Sequence, residues 1–159
     1  RDASVAVTEQ DMEDVFRQID RTTAQDMLPL LRLLPGAMDL LEQARRCRIS
    51  LAVVSTDITE RAGRALRALG IDGYFIAIVG GDVVRRTKPA PDLAEAVLRG
   101  GYERERTVVI GDHPVDVQMG LNAGVRKNIG VLTGLSTPDM FAPYECAVIK
   151  DLTCLQIAC

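Results

Sequence analysis

Val108-Val109-Ile110-Gly111-Asp112-His113-Pro114-Val115-Asp116 decides how the rest of the chain is read. Three β-formers run into a glycine and an acid, and a second acid follows four residues on, at the start of a helical pattern. In an open α/β sheet, ligands bind beyond the carboxyl ends of the strands. Asp112 therefore stands where chemistry is done, and Asp116, one helical turn later, leans toward the same point. Two converging carboxylates suit a hard cation such as Mg2+, which takes oxygen ligands and often a substrate phosphate. The same residues fit a plain strand-to-helix turn with Asp112 as its N-cap. On this stretch alone both readings stay open.

Working outward, helix and strand alternate from Pro35-Gly36 to the end of the chain. The pattern predicts helices over 37–46, 59–69, 91–99 and 114–123, and strands over 49–54, 74–79, 107–110 and 128–132, with a short edge strand at 146–149. Gly70, Gly100-Gly101 and Gly124 stop helices in the expected place. Asp151 can cap a last helix through Ile157. Strands alternating with helices argue for an α/β fold: a parallel sheet with helices on both faces. Residues 1–34 differ. Thr8-Glu9-Gln10-Asp11 opens a helix carrying Met12, Val15, Phe16 and Ile19 at helical spacing. A second short helix runs from Thr23 into Leu34, bent or split at Pro29. The expected organisation is a helical piece over 1–34 and an α/β unit over 35–159.

The 159 residues, 47% hydrophobic and 26% charged, are ordinary for one globular domain. A net charge of −3 supplies no electrostatic footprint for nucleic acid. No apolar run reaches the ~20 residues that span a bilayer. The opening Arg1-Asp2-Ala3-Ser4 leads into no apolar h-region, which predicts a protein without a signal peptide. Cys47, Cys146, Cys154 and Cys159 lack metal-ligand spacing. They are expected as free, mostly buried thiols, in keeping with a cytoplasmic protein.

Three further features fall at carboxyl ends of predicted strands. Ser55-Thr56-Asp57 pairs small hydroxyls with a helix start, an arrangement that favours anions; equally, the hydroxyls can serve only local backbone groups. Lys88-Pro89-Ala90-Pro91 carries a lysine whose backbone is stiffened by two prolines, a point charge suited to phosphate. His113, the only histidine, either acts as acid or base or simply lines the pocket. Together these can hold a phosphoryl group and a divalent cation. An attacking group is what they lack, since no Asp, Cys or His in residues 1–54 follows a buried strand.

Leu51-Ala52-Val53-Val54-Ser55, Lys88-Pro89-Ala90-Pro91 and Val109-Ile110-Gly111-Asp112-His113-Pro114-Val115-Asp116 resemble, in order and spacing, the second, third and fourth motifs of the haloacid dehalogenase-like (HAD) hydrolases. Pro35-Gly36, Asn122-Ala123-Gly124 and Gly130-Val131-Leu132-Thr133-Gly134 agree with the phosphoglycolate phosphatase-like branch. The resemblance implies a Rossmann-like sheet and, in residues 1–34, the closing part of a helical cap. It implies that Ser55 bonds phosphoryl oxygens, that Thr56 touches substrate, and that Lys88 steadies the nucleophile and the phosphoryl charge. Asp112 would ligate Mg2+, with Asp116 supporting the metal shell. The implied activity is Mg2+-dependent hydrolysis of a small phosphorylated metabolite through an aspartyl-phosphate.

The family's first motif, Asp-x-Asp-x-Thr or a close variant, is absent from the sequence, and with it the strand that bears it. Its loss predicts a sheet with a gap at its middle and exposed apolar edges. The chain is then either part of a longer phosphatase or a non-catalytic phosphate-binding or interaction domain. Haloacid dehalogenase chemistry on the same scaffold is a further alternative.

Overall fold

The computed structural model describes residues 8–22 and 27–159. The chain divides into two compact units, Arg1–Arg32 and Leu33–Cys159. In the first, α1 runs over Glu9–Thr22. Thr8 and Asp11 cap it reciprocally: the Asp11 carboxylate accepts from Thr8 N at 2.8 Å, and Thr8 Oγ1 accepts from Asp11 N at 3.1 Å. Met12, Val15, Phe16 and Ile19 of this helix are all exposed. The expected second helix lies partly on residues 23–26, outside the described ones. Beyond them, Leu28–Leu30 makes a single 3-10 turn, because Pro29 has no N–H to continue a helix.

The second unit follows the predicted alternation closely. Its elements are α2 (Ala37–Arg46), β1 (Leu51–Val54), α3 (Thr59–Ala68), β2 (Phe75–Val79), α4 (Asp92–Leu98), β3 (Val108–Gly111), α5 (Pro114–Asn122), β4 (Lys127–Val131), α6 (Pro138–Phe141) and β5 (Ala147–Ile149). Every strand pairing is parallel. The strands form two sheets, β1-β2 and β3-β4-β5. Among the described residues, β1 pairs only with β2 and β3 only with β4, so each keeps one edge unpaired.

A single core underlies both sheets. Leu93, Ala94 and Leu98 of α4 and Met119 and Ala123 of α5 pack with Val79 and Val125, and Val54, Ala77 and Val109 close on them from the strands. Leu93 and Met119 are fully buried. Burying such side chains stabilises by roughly 1.5–3 kcal/mol each before entropy is counted. Close approach requires a glycine at 120 and at 130. A Cβ on Gly120 of α5 would lie 1.8 Å from Asn128 Oδ1, and one on Gly130 of β4 would meet the Phe141 ring at 2.8 Å.

Two expectations fail. Asp151 caps only a 3-10 turn, Leu152–Cys154, with Thr153 N donating to its carboxylate at 2.9 Å; no helix continues to Ile157. Cys47 and Cys159 are joined by a disulfide, not free, while Cys146 is half-buried and Cys154 exposed. The chain after α2 turns sharply at Arg48, whose φ is +55°. Ile157 N then donates to Gln43 Oε1 at 2.9 Å, laying the carboxyl terminus beside the end of α2. A pairing across 112 residues leaves no trace in local spacing. Among the described residues no helix is long and apolar enough to cross a membrane.

Candidate active site

The strands of each sheet are parallel, so their carboxyl ends share an edge, and every residue singled out from the sequence sits there. Lys88 ties the parts together. Its Nζ donates to the carbonyl of Val54, the last residue of β1, at 2.9 Å, and stands 2.7 Å from Asp116 Oδ1 in the first turn of α5. The carboxyl end of β1 and the start of α5 thus meet at one ammonium. The Lys88 and Asp116 side chains are 12% and 10% exposed. Removing one partner of such a buried pair leaves a charge without compensation, which costs about 3–5 kcal/mol.

The lysine loop is anchored on both sides. Asn122 Nδ2 donates to Pro89 O at 2.9 Å, Ala90 N donates to Thr87 O at 3.0 Å, and Arg86 pairs with Asp92 at 2.8 Å. The Lys88–Pro89 peptide bond is cis. Arg86, two residues before Lys88, is thereby directed to Asp92 at the start of α4.

Asp116 also closes a capping box. Its Oδ2 accepts from His113 N at 3.0 Å, while His113 Nδ1 accepts from Val115 N at 3.3 Å. Both Asp116 oxygens are therefore engaged within the protein. Asp112 is different. It is exposed, and its carboxylate makes no hydrogen bond or ion pair among the described residues. The backbone approaches it closely: a Cβ on Gly134, in the loop after β4, would lie 2.1 Å from Asp112 Oδ2. Gly111 plays the same part for Asp116, since a Cβ there would stand 2.2 Å from Asp116 Cβ.

At the end of β1, Ser55 N donates to Val79 O at 2.9 Å and Ser55 Oγ accepts from Asp57 N at 3.1 Å. The hydroxyl proton of Ser55 is left to donate elsewhere, and Thr56 beside it is exposed. The start of α3 holds its own anion. Asp82, from the turn after β2, accepts from Thr59 N at 2.7 Å and from Thr59 Oγ1 at 2.8 Å. Those bonds hold its carboxyl below the usual range. Asp57 accepts from Ile58 N at 2.8 Å and pairs with Arg61. Ile58 N and Thr59 N at the start of α3 are thus satisfied within the chain, and Ser55, Thr56 and Lys88 stand at the same strand ends. Asp82 was not singled out from the sequence, because an acid after a Gly-Gly turn is common in any loop; Asn122 entered only with the 122–124 resemblance, without its bond to Pro89 O.

Among the described residues no three His, Cys, Asp or Glu side chains form a metal cluster. The donor set still fits Mg2+, which keeps several waters and is usually held by one or two carboxylates and a substrate phosphate. The free carboxylate of Asp112 suits that role, with Asp116 fixed behind it. Two clefts of about 270 and 290 Å3 lie elsewhere, at the amino ends of β1 and β4.

Residues 2–129 match the haloacid dehalogenase-like hydrolase family. The chain is 28% identical over 131 residues to the pyrophosphatase PpaX of Halalkalibacterium halodurans, covering 74% of this chain and 61% of that protein. It is 36% identical over 92 residues to the phosphoglycolate phosphatase of Aquifex aeolicus, covering 57% and 43%. The crystal structure of a protein described as a haloacid dehalogenase-like hydrolase from Bacteroides fragilis superposes with a TM-score of 0.79 at 30% identity, covering 92% of this chain and 70% of that one. The chain thus spans less than two thirds of the length of these two phosphatases. On the extent of the family match, the chain belongs to the haloacid dehalogenase-like hydrolases.

Proposed function

We propose that this chain is the greater part of a Mg2+-dependent phosphatase that hydrolyses a small phosphomonoester through an aspartyl-phosphate. The observation that carries the reading is Lys88, held between the carbonyl end of β1 and Asp116. A fixed, poorly hydrated ammonium at the junction of the β1 end and the first turn of α5 stabilises charge that develops on a transferring phosphoryl group. Ser55 donates to phosphoryl oxygens, and Thr56 stands where substrate enters. Asp112 holds the cation, which supplies Lewis-acid polarisation of the phosphoryl oxygen when bound; Asp116 positions both Lys88 and the first turn of α5. Among the described residues before Ser55, no Asp, Cys or His follows a strand as an attacking group would. In this reading the nucleophilic Asp-x-Asp arrives on a further parallel strand, seated between the unpaired edges of β1 and β3. Residues 1–34 belong to a helical cap that selects the substrate, and residues 35–159 to the catalytic core.

The protein works on a phosphorylated metabolite in the cytoplasm and not on nucleic acid. Against the cytoplasm stands the Cys47–Cys159 disulfide, which favours an oxidising compartment. The test is to express the protein with the sequence preceding Arg1 and offer it Mg2+ with phosphoglycolate, p-nitrophenyl phosphate and a set of haloacids. Phosphate release is expected. Halide release would assign dehalogenase chemistry, and the absence of both products would assign a binding role.

A further inference from the structure

We infer that Gly134 is a positioning residue for the Asp112 carboxylate, a glycine required because the loop after β4 forms the wall against which that carboxylate rests; the inference builds on the proposed cation site. Gly134 is exposed, so burial does not demand a glycine. It is also not among the glycines with positive φ, which are Gly36, Gly70, Gly101 and Gly124, so backbone conformation does not demand one. What demands it is proximity. A Cβ at 134 would lie 2.1 Å from Asp112 Oδ2, 2.9 Å from Cγ and 3.1 Å from Cβ.

The Oδ2 contact alone is relieved by turning the exposed aspartate. Turning it re-aims a carboxylate that makes no hydrogen bond or ion pair among the described residues, and so moves it from the place where the proposed cation is held. The contact to Asp112 Cβ is not relieved by rotation, so the loop and the strand end must also separate by some tenths of an ångström. A methyl group at 134 therefore re-aims Asp112 without emptying any of the core. Asp116 has its own restraints in Lys88 and His113 N and stays in place. Gly134 thus acts selectively on the cation ligand. Groups that orient a metal ligand typically change affinity by about 10–100-fold when altered.

The test compares the wild-type chain with Gly134→Ala and with Leu135→Ala, a change at the neighbouring, fully exposed side chain. Mn2+ is titrated, and its paramagnetic broadening of backbone amides near Asp112 gives the affinity. Crystal structures of the metal-free proteins give the position of the Asp112 carboxylate. The inference expects Gly134→Ala to melt within a few degrees of wild type, to displace the carboxylate, and to bind Mn2+ about tenfold more weakly, with Leu135→Ala unchanged. An Asp112 carboxylate in the same place in Gly134→Ala overturns the inference, as does equal loss of affinity in Leu135→Ala. If the wild type binds no Mn2+ yet the carboxylate moves in Gly134→Ala, the positioning role stands and the cation reading falls. Should Gly134→Ala not fold, the double variant Asp112→Ala/Gly134→Ala decides: recovery of folding supports the contact with Asp112, and failure overturns it.

Discussion

β3 and β4 lie side by side, paired in register from Val108↔Lys127 to Gly111↔Gly130, yet water treats them differently. From Asn128 to Val131, β4 is buried throughout. In β3, Val108 and Ile110 are 45% and 42% exposed. Composition does not explain this, for Val108-Val109-Ile110 is at least as apolar as Asn128-Ile129-Gly130. Neighbours do: β4 has a partner strand on each edge, and β3 on only one. β1, also paired on one edge, is half-buried along its whole length. A hydrophobic run thus specifies a strand suited to the middle of a sheet, and whether it is covered depends on what pairs beside it. β1 and β3 carry Ser55 and Asp112 at their carboxyl ends, while β2 and β5, likewise paired on one edge, are also only partly buried.

The largest effect expected from this contrast is on stability. Phe141→Ala, which strips the ring from Gly130 of β4, should cost about 3–5 kcal/mol, whereas Ile110→Ala on β3 should cost about 1 kcal/mol or less. Urea denaturation of both variants measures the difference, and comparable losses would break the contrast. Lys88→Met comes next. It leaves the Asp116 carboxylate without its cation at the seam between β1 and α5, at a cost of about 3 kcal/mol. A double-mutant cycle with Asp116→Asn should show most of that loss to be shared.

A smaller, pH-dependent effect falls on the β1-β2 half. The bonds from Thr59 lower the Asp82 carboxyl in the folded protein. Its contribution is therefore fully present above the unfolded value of about 3.9 and is lost as pH falls through the folded value below it. Asp82→Asn should melt lower than wild type at neutral pH, and the two curves should converge in strong acid. Hydrogen exchange gives the finest reading: β4 amides should be protected, and those of β1 and β3 that point to the unpaired edges should exchange early.

Much of this architecture was legible in the sequence because it is written locally. Ala37–Arg46 and Thr59–Ala68 show helical spacing, and the apolar runs before Ser55, Gly80 and Asp112 announce strands. Asp116 was placed one turn beyond Asp112 by spacing alone. Its bond to His113 N escaped notice because histidine is not a favoured N-cap. The contacts that stayed hidden are long in sequence: Asp82 onto Thr59, Asn122 onto Pro89, and Cys47 onto Cys159. Each joins residues with ordinary local roles, and only the folded chain brings them together. Ser55 illustrates the converse, since its hydroxyl stands at the predicted edge but also accepts from Asp57 N, so both readings of it describe the same atom.

The central claim is that Lys88 and Asp112 serve one phosphoryl-transfer site at the ends of β1 and β3. Steady-state release of phosphate from p-nitrophenyl phosphate, with saturating Mg2+ and the protein extended through its preceding sequence, tests it most directly. The account predicts turnover in the wild type and losses of about 100-fold or more in both Lys88→Met and Asp112→Asn. Turnover within about twofold of wild type in either folded variant would contradict it.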